Sequence, residues 1–459
     1  MATAEKIPDA TPQPAPLARD WDNLVQRDRV HRSIYTDREI FDAEMRHVFG
    51  GVWVYLAHES QIPDPGDFVT TQLGLRPVIV TRDATNTLRA LFNRCTHRGA
   101  TICRAARGNA PVFQCAYHGW TFAGSGELRG VPWPDGYADD LKDGRFNLAQ
   151  VPRVASYRGF IFGTLNLEAP PLEDYLGPVR EPIDQWLDRH PGGRVIFAAA
   201  NRLAFKGNWK LAYDNSADGY HVKFSHRSLL ETENRFRPDD EKGMAFYKDK
   251  PDDAPMYVRY MGHGHHFKDK RPNIADHPGA LWEIEGAHPG MEHYEALLRR
   301  TMGERADHAL DLAASEPVNI NVFPNLLILG NHVQVLQPLS VSETATTWHA
   351  TMVTDADDTL GEEATAAINT LRMRTQEGFP SLGEVDDLTN FEEIQRGLSV
   401  CEDEWVYMHR GLDIPGRVKR AADGTVSAPA TDEVFMREYI QEWKALMAAP
   451  PTLSIRRTP

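Results

Sequence analysis

The chain has 459 residues, enough for two or three domains with substantial cores. Its 65 acidic and 50 basic side chains leave a formal charge of −15, which argues against nucleic acid or an anionic membrane as the main partner. Only four cysteines occur, no signal peptide opens the chain, and no apolar run approaches the roughly 18 residues of a membrane span. A soluble protein of a reducing cytoplasm is expected.

Residues 1–18 are rich in Ala and Pro and read as a disordered arm. Asp37 to Phe49 reads as a helix, with Ile40, Phe41, Met45 and Val48 at helical spacing and Gly50-Gly51 as its stop. From Val52 the period becomes that of strands. Val78–Thr81 and Leu88–Phe92 flank a polar turn at Asp83–Asn86 and predict a hairpin whose second strand runs into Cys95. Val112–Gln114 and Trp120–Phe122 bracket a second loop, followed by a turn at Gly124–Gly126, and Phe160–Leu165 reads as a closing strand. A small antiparallel β domain over 46–166 is expected, after an arm and helix over 1–45.

The two loops carry Cys95-x-His97 and, after seventeen intervening residues, Cys115-x-x-His118. Two Cys and two His could hold one zinc, but zinc motifs usually place like ligands together. Here each loop offers one thiolate and one imidazole, which suits a Rieske 2Fe–2S centre with two Cys on one iron and two His on the other. Exchanging two thiolates for neutral imidazoles raises the reduction potential to about −150 to +300 mV, against about −400 mV for an all-Cys plant-type cluster. Cys103 and Cys401 remain and read as plain buried residues.

Glu168–Pro182 reads as a Pro-rich, acidic connector into a longer mixed α/β region over 167–459. Leu203–Phe205 reads as a strand, and a helix is expected to start near Trp209. The charged, Pro/Gly-broken stretch 233–275 reads as an irregular excursion, with His263-Gly-His265-His266 as solvated loop. Strands are expected at Ile320–Phe323, Leu326–Leu329, His332–Gln337 and Thr346–Val353. Leu360–Glu377 reads as a helix stopped by Gly378, with Ala364, Ala367, Ile368, Leu371 and Met373 as core contacts. The fold class is α+β: a small antiparallel β domain, then a catalytic domain with an antiparallel sheet covered by helices.

A Rieske centre stores one electron, so a chain this long should also hold the site that consumes it. His221 and His226 are candidates, although an i, i+5 pair lies about 140° apart on an ideal helix and shares a face only if the helix breaks or ends between them. Two His and one carboxylate form the facial triad of non-haem Fe(II) oxygenases. Asp386-Asp387, just before a helix expected near Leu388, is the best source of the carboxylate and could equally be a helix cap. Asp218, three residues before His221, could accept its ring N–H.

With these residues in hand, the sequence resembles the alpha subunit of Rieske non-haem iron aromatic-ring-hydroxylating dioxygenases, from about Ser33 to the region of Trp443. The likeness rests on Cys95-Thr-His-Arg-Gly99, Cys115-Ala-Tyr-His-Gly-Trp120, Gly207-Asn-Trp-Lys210 and Asp214-Asn-Ser-Ala-Asp-Gly-Tyr-His-Val222 with His226. It implies that Cys95, His97, Cys115 and His118 hold the cluster, and that His221, His226 and Asp387 hold iron. Asp218 would link a Rieske His of one subunit to an iron-ligand His of its neighbour, with Asn215 beside the iron. Tyr55-Leu-Ala-His-Glu-Ser-Gln-Ile-Pro63 and Asn215-Ser-Ala-Asp-Gly-Tyr-His look most like the benzoate/toluate 1,2-dioxygenase branch, which includes anthranilate and ortho-halobenzoate enzymes.

The resemblance implies a small beta subunit, three of each chain per hexamer, and NADH electrons delivered by a flavin/2Fe–2S reductase or a ferredoxin. The implied reaction is cis-dihydroxylation of an aromatic ring with O2, on a benzoate-type carboxylate. A salicylate-type monohydroxylase, a dioxygenase for another arene, and a pure Rieske electron carrier are the alternatives. Arg202, Lys206 and Arg259 could neutralise a carboxylate, though surface ion pairs explain them as well.

Overall fold

The computed structural model describes residues 19–137, 141, 144–190, 192–228, 231, 256–271, 277–283, 291–314, 318–376, 382–449 and 451–457. The arm 1–18, the first part of the 233–275 stretch and Gly378 lie outside the described residues. Two compact units form, and they interleave in sequence. One comprises Asp42–Tyr175 with the C-terminal Leu446–Pro459, the other Asp20–Phe41 with Leu176–Ala445. Sequence periodicity cannot reveal such an exchange of chain ends, because it reports the local element and not its packing partner. Among the described residues no helix is long and apolar enough to cross a membrane.

Among the described residues, the first unit is built from three antiparallel sheets. In the largest, Arg76–Arg82 lies between Asp67–Leu73 and Leu88–Phe92, and its Val78, Ile79 and Val80 are fully buried. The expected hairpin turn forms at Asp83, whose carboxylate accepts the Thr85 and Thr87 N–H groups, with Asn86 at φ +62°. Val112–Gln114, Thr121–Ala123 and Leu128–Gly130 make a second sheet. Phe160–Thr164 is the last strand of the segment Asp42–Tyr175. It is the central strand between Arg153–Tyr157 and Val54–His58, which explains its unbroken apolar run: both of its faces are buried.

Among the described residues, the second unit centres on a nine-stranded antiparallel sheet. Its spatial order is Gly193–Phe205, Glu343–Asp355, His332–Ser340, Leu326–Leu329, Val318–Val322, His266–Asp269, Tyr257–Tyr260, Val426–Pro429 and Lys419–Arg420. The four strands expected between 320 and 353 are its middle. Leu203–Phe205 is only the end of a 13-residue strand, Gly193–Phe205, in which Val195, Phe197 and Phe205 are buried and the middle, 198–202, is exposed.

Five further expectations need correcting. The connector 168–182 is helical in part, with Leu172–Leu176 and Arg180–Asp188, because Pro182 sits in a first turn where its missing N–H costs nothing and Ile183 and Trp186 are buried. The described part of 233–275 is not irregular: Tyr257–Tyr260 and His266–Asp269 pair across a turn in which Gly262 and Gly264 take φ +84° and +82°. His265 and His266 are therefore buried rather than solvated, and burial pushes His266 down to about 3 while its Nε2 contacts the Phe435 carbonyl at 3.1 Å. Cys401 is exposed and Cys103 half-buried, and Met373, on the helix Glu362–Gln376, is 56% exposed and no core contact.

The helix expected near Leu388 starts earlier and spans Leu382–Gly397. Asp386 and Asp387 therefore lie inside it, which removes the helix-cap reading.

Candidate metal centres

Cys95 and Cys115 are each 1% exposed and belong to an apolar cluster with Phe68, Ile79, Phe113 and Trp120. Their loops repeat one hydrogen-bond pattern. Cys95 N–H donates to Ala100 O (2.8 Å) and Gly99 N–H to Cys95 O (2.9 Å); Cys115 N–H donates to Trp120 O (2.8 Å) and Gly119 N–H to Cys115 O (2.9 Å). Gly99 and Gly119 take φ +80° and +72°, which L side chains disfavour. Burial pushes the Cys95 thiol up, and the adjacent Cys115 adds to the rise. The His97 and His118 rings lie 4.6 Å apart, and His97 stacks on Trp120 at 4.8 Å with the planes 4° apart. His97 Nδ1 is buried without a hydrogen-bond partner among the described residues. Two neighbouring thiols, two neighbouring imidazoles and one orphaned ring nitrogen fit a 2Fe–2S centre better than a satisfied polar core.

Gly119 gives this loop a direct test. A Cβ there would stand 2.8 Å from Pro132 Cγ at a left-handed φ. Gly119→Ala should cost about 1–2 kcal/mol before the clash is counted. We expect the melting midpoint to fall by roughly 2–8 °C and the visible cluster absorbance per chain to drop. Gly130→Ala, with nothing within 4 Å of the added Cβ, is the control and should change neither.

The second centre begins at the helix Trp209–Ala217, capped by Asn208, whose side chain accepts the Lys210 N–H. That helix stops at Asp218, and a single turn, Val222–Ser225, follows. His221 and His226 flank this turn, so the 140° problem never arises; their rings lie 5.3 Å apart. Asp387, on the helix Leu382–Gly397, brings Oδ1 to 3.7 Å from His221 Nε2 and 3.4 Å from His226 Nε2. One ligand atom from each of the three residues lies within 4.8 Å of the others. Burial pushes the Asp387 carboxyl up to about 7 and the His226 imidazole down to about 4. Asp387 Oδ1 is itself buried with no hydrogen-bond partner among the described residues. A crowded, unsatisfied set of two imidazoles and one carboxylate fits a divalent cation.

The flanking residues fall into place around it. Asp218 Oδ2 is 3.1 Å from His221 Nδ1, on the side of the ring away from Asp387, and its Oδ1 accepts the Tyr220 N–H at 2.6 Å. Asp386 Oδ2 lies 3.8 Å from His226 Nδ1 and accepts from Ser228 Oγ at 3.3 Å. The two adjacent carboxylates thus face opposite edges of His226. Asn215 hydrogen-bonds Asp387.

A cavity of about 220 Å³ opens beside His221, His226 and Asp387. Ala212, Val222, Leu329, Trp348, Leu388 and Phe391 supply its apolar lining. Of the three cations singled out in the sequence, none lines it. Arg202 reaches Gln337 on an exposed surface, Lys206 lies at a separate surface hollow, and Arg259 packs over the Phe267 ring. The cavity's cations are Lys268 and Lys270, which sequence reasoning missed. The paired apolar-polar segments Tyr257–Tyr260 and His266–Asp269 around Gly262 and Gly264 were the available hairpin signal. Lys268 is 6% exposed, its Nζ donates to Asp218 O at 3.2 Å, and burial, with Lys270 nearby, brings it down to about 7.

Comparison with known proteins matches two families along the chain. The Rieske [2Fe-2S] domain family matches residues 52–154, and the family described as ring hydroxylating alpha subunit (catalytic domain) matches residues 193–449. The chain is 34% identical to the toluate 1,2-dioxygenase subunit alpha of Pseudomonas putida, over 82% of each chain. It is 31% identical to the 2-halobenzoate 1,2-dioxygenase large subunit of Burkholderia cepacia, over 85% of this chain and 82% of that one. A naphthalene 1,2-dioxygenase solved with indole in its active site superposes with a TM-score of 0.75 at 27% identity, covering 94% of this chain and 95% of that one. The two domains bring a Rieske 2Fe–2S cluster and mononuclear non-haem iron, supplied with electrons from NADH through a reductase. The chain belongs to the alpha subunits of ring-hydroxylating Rieske dioxygenases, the large oxygenase components of multi-component oxidoreductase systems.

Proposed function

We propose that this alpha subunit cis-dihydroxylates the ring of a benzoate-type aromatic carboxylate. The observation that carries the reading is the convergence of His221 Nε2, His226 Nε2 and Asp387 Oδ1 at a cavity with apolar and aromatic walls, in a chain whose relatives are named for toluate and 2-halobenzoate. Cys95, His97, Cys115 and His118 hold the cluster, and His221, His226 and Asp387 hold the iron. When bound, the iron supplies the chemistry of O2 and the cluster supplies electrons.

The protein's own groups prepare the site. Asp218 accepts the His221 Nδ1 proton, which fixes the tautomer and leaves Nε2 free to ligate. Asn215 holds the Asp387 carboxylate in orientation. Trp348, Phe391, Leu388 and Leu329 exclude water and keep the ring against the reacting edge. Asp218 also acts as the electron link, on its own chain's side, to a Rieske His of a neighbouring alpha subunit. The working assembly is cytoplasmic and pairs three alpha with three small beta subunits, beside a flavin/2Fe–2S reductase or a ferredoxin.

Oxygen uptake by the alpha–beta complex with reductase and NADH tests this across benzoate, toluates, anthranilate, salicylate and naphthalene. We expect benzoates to be preferred, with product matching O2 consumed and both oxygen atoms retained in a cis-diol that keeps its carboxylate. Preference for salicylate with a single oxygen inserted would make the chain a monohydroxylase and overturn the reading.

A further inference from the structure

We propose that Lys268 receives the carboxylate of the substrate and selects anionic over neutral rings in the cavity beside His221, His226 and Asp387. The inference rests on the reading of this site as an aromatic-carboxylate oxygenase and names the residue that sets its substrate class.

Lys268 lies on the strand His266–Asp269, directly opposite Asn319, which is in turn opposite Leu329. These three residues form one row across the sheet and all line the cavity. The floor therefore runs from an ammonium through a carboxamide to an aliphatic side chain, a gradient matching a ring with one charged substituent. Lys270, just past the end of that strand, lines the same cavity. A lysine ammonium has three donors. The Asp218 carbonyl takes one; the Asp218 and Asp387 carboxylates act on the ammonium electrostatically, but neither hydrogen-bonds it. Burying an ammonium beside a cavity is costly without an anion, and an uncharged arene gives it none. Of the cavity's own anions, Asp387 is committed to the metal, and Glu384 lies on its helix one turn before it. An incoming carboxylate supplies the missing counter-charge and fixes which ring edge is presented.

The test uses the complete alpha–beta complex with reductase and NADH, and benzoate against toluene, a neutral arene of similar shape. Lys268→Gln keeps a donor for the Asp218 carbonyl and removes the charge; Lys268→Arg restores the charge. Iron content and the Rieske spectrum are recorded for each variant. Lys268→Gln should lower the benzoate-to-toluene ratio of kcat/KM by roughly a hundredfold, mostly through the KM for benzoate, and Lys268→Arg should recover part of it. Calorimetric titration of benzoate into the resting complex, without turnover, should show a parallel rise in Kd. An unchanged ratio overturns the proposal. So does an equal loss on both rings with loss of iron, which would make Lys268 a support for the Asp218 segment only. A wild-type complex that oxidises toluene and ignores benzoate defeats the carboxylate reading itself, whatever the variants do.

Discussion

Asp387→Ala should yield a protein with an intact Rieske visible spectrum, no mononuclear iron and no coupled turnover. Iron per chain should fall from about three to about two, because the cluster keeps its pair and the single site loses its carboxylate. The two centres draw on separate residues, so cluster absorbance is the internal control for folding. The loss of activity should exceed the roughly 10–100-fold that removing an outer partner of a metal ligand costs. Asp386→Ala is the matched comparison. Asp386 faces His226 Nδ1 at 3.8 Å, whereas Asp387 Oδ1 faces Nε2 of both histidines. Asp386→Ala should retain iron and lose activity only within that 10–100-fold range. Iron retained in Asp387→Ala and lost in Asp386→Ala would exchange their roles.

Asp218→Ala should keep both metals and lose turnover by more than about 100-fold, beyond the upper range for an outer-partner effect. The carboxylate is held at both oxygens, with Oδ2 against His221 Nδ1 and Oδ1 accepting the Tyr220 N–H. Removing it deprives His221 of its orienting partner and removes the proposed electron link. Asp218→Asn removes the charge and keeps a single acceptor oxygen, enough for the His221 Nδ1–H or for the Tyr220 N–H but not for both. Reduction of the Rieske cluster by the reductase should remain normal in both variants, while electrons fail to leave it on addition of substrate and O2. Full turnover by Asp218→Asn would reduce the role of Asp218 to orienting His221.

The parts of this protein that could be read from the chain are those in which a few neighbouring residues carry the chemistry. Cys95 with His97, Cys115 with His118, and His221 with His226 each sit within a few positions of one another, and short glycine-bearing loops or a single helical turn suffice to aim them. The hairpin around Asp83 and the middle strands of the large sheet were legible for the same reason: their pattern and their turns are local. By itself, the sequence determined the family, its two cofactors and the short segments whose Cys and His residues we propose as ligands.

Only the tertiary structure decided what depends on pairing between distant segments. It turned Asp387, and not Asp386, toward both His Nε2 atoms, because a helix starting at Leu382 sets the direction of each carboxylate. It drew Tyr257–Tyr260 and His266–Asp269, read locally as irregular, into the sheet between Val318–Val322 and Val426–Pro429, where cross-strand hydrogen bonds outweigh weak local preference. That pairing buried His265 and His266 and set Lys268 opposite Asn319 at the cavity. The charge of the pocket thus comes from strand register, which no spacing along the chain encodes.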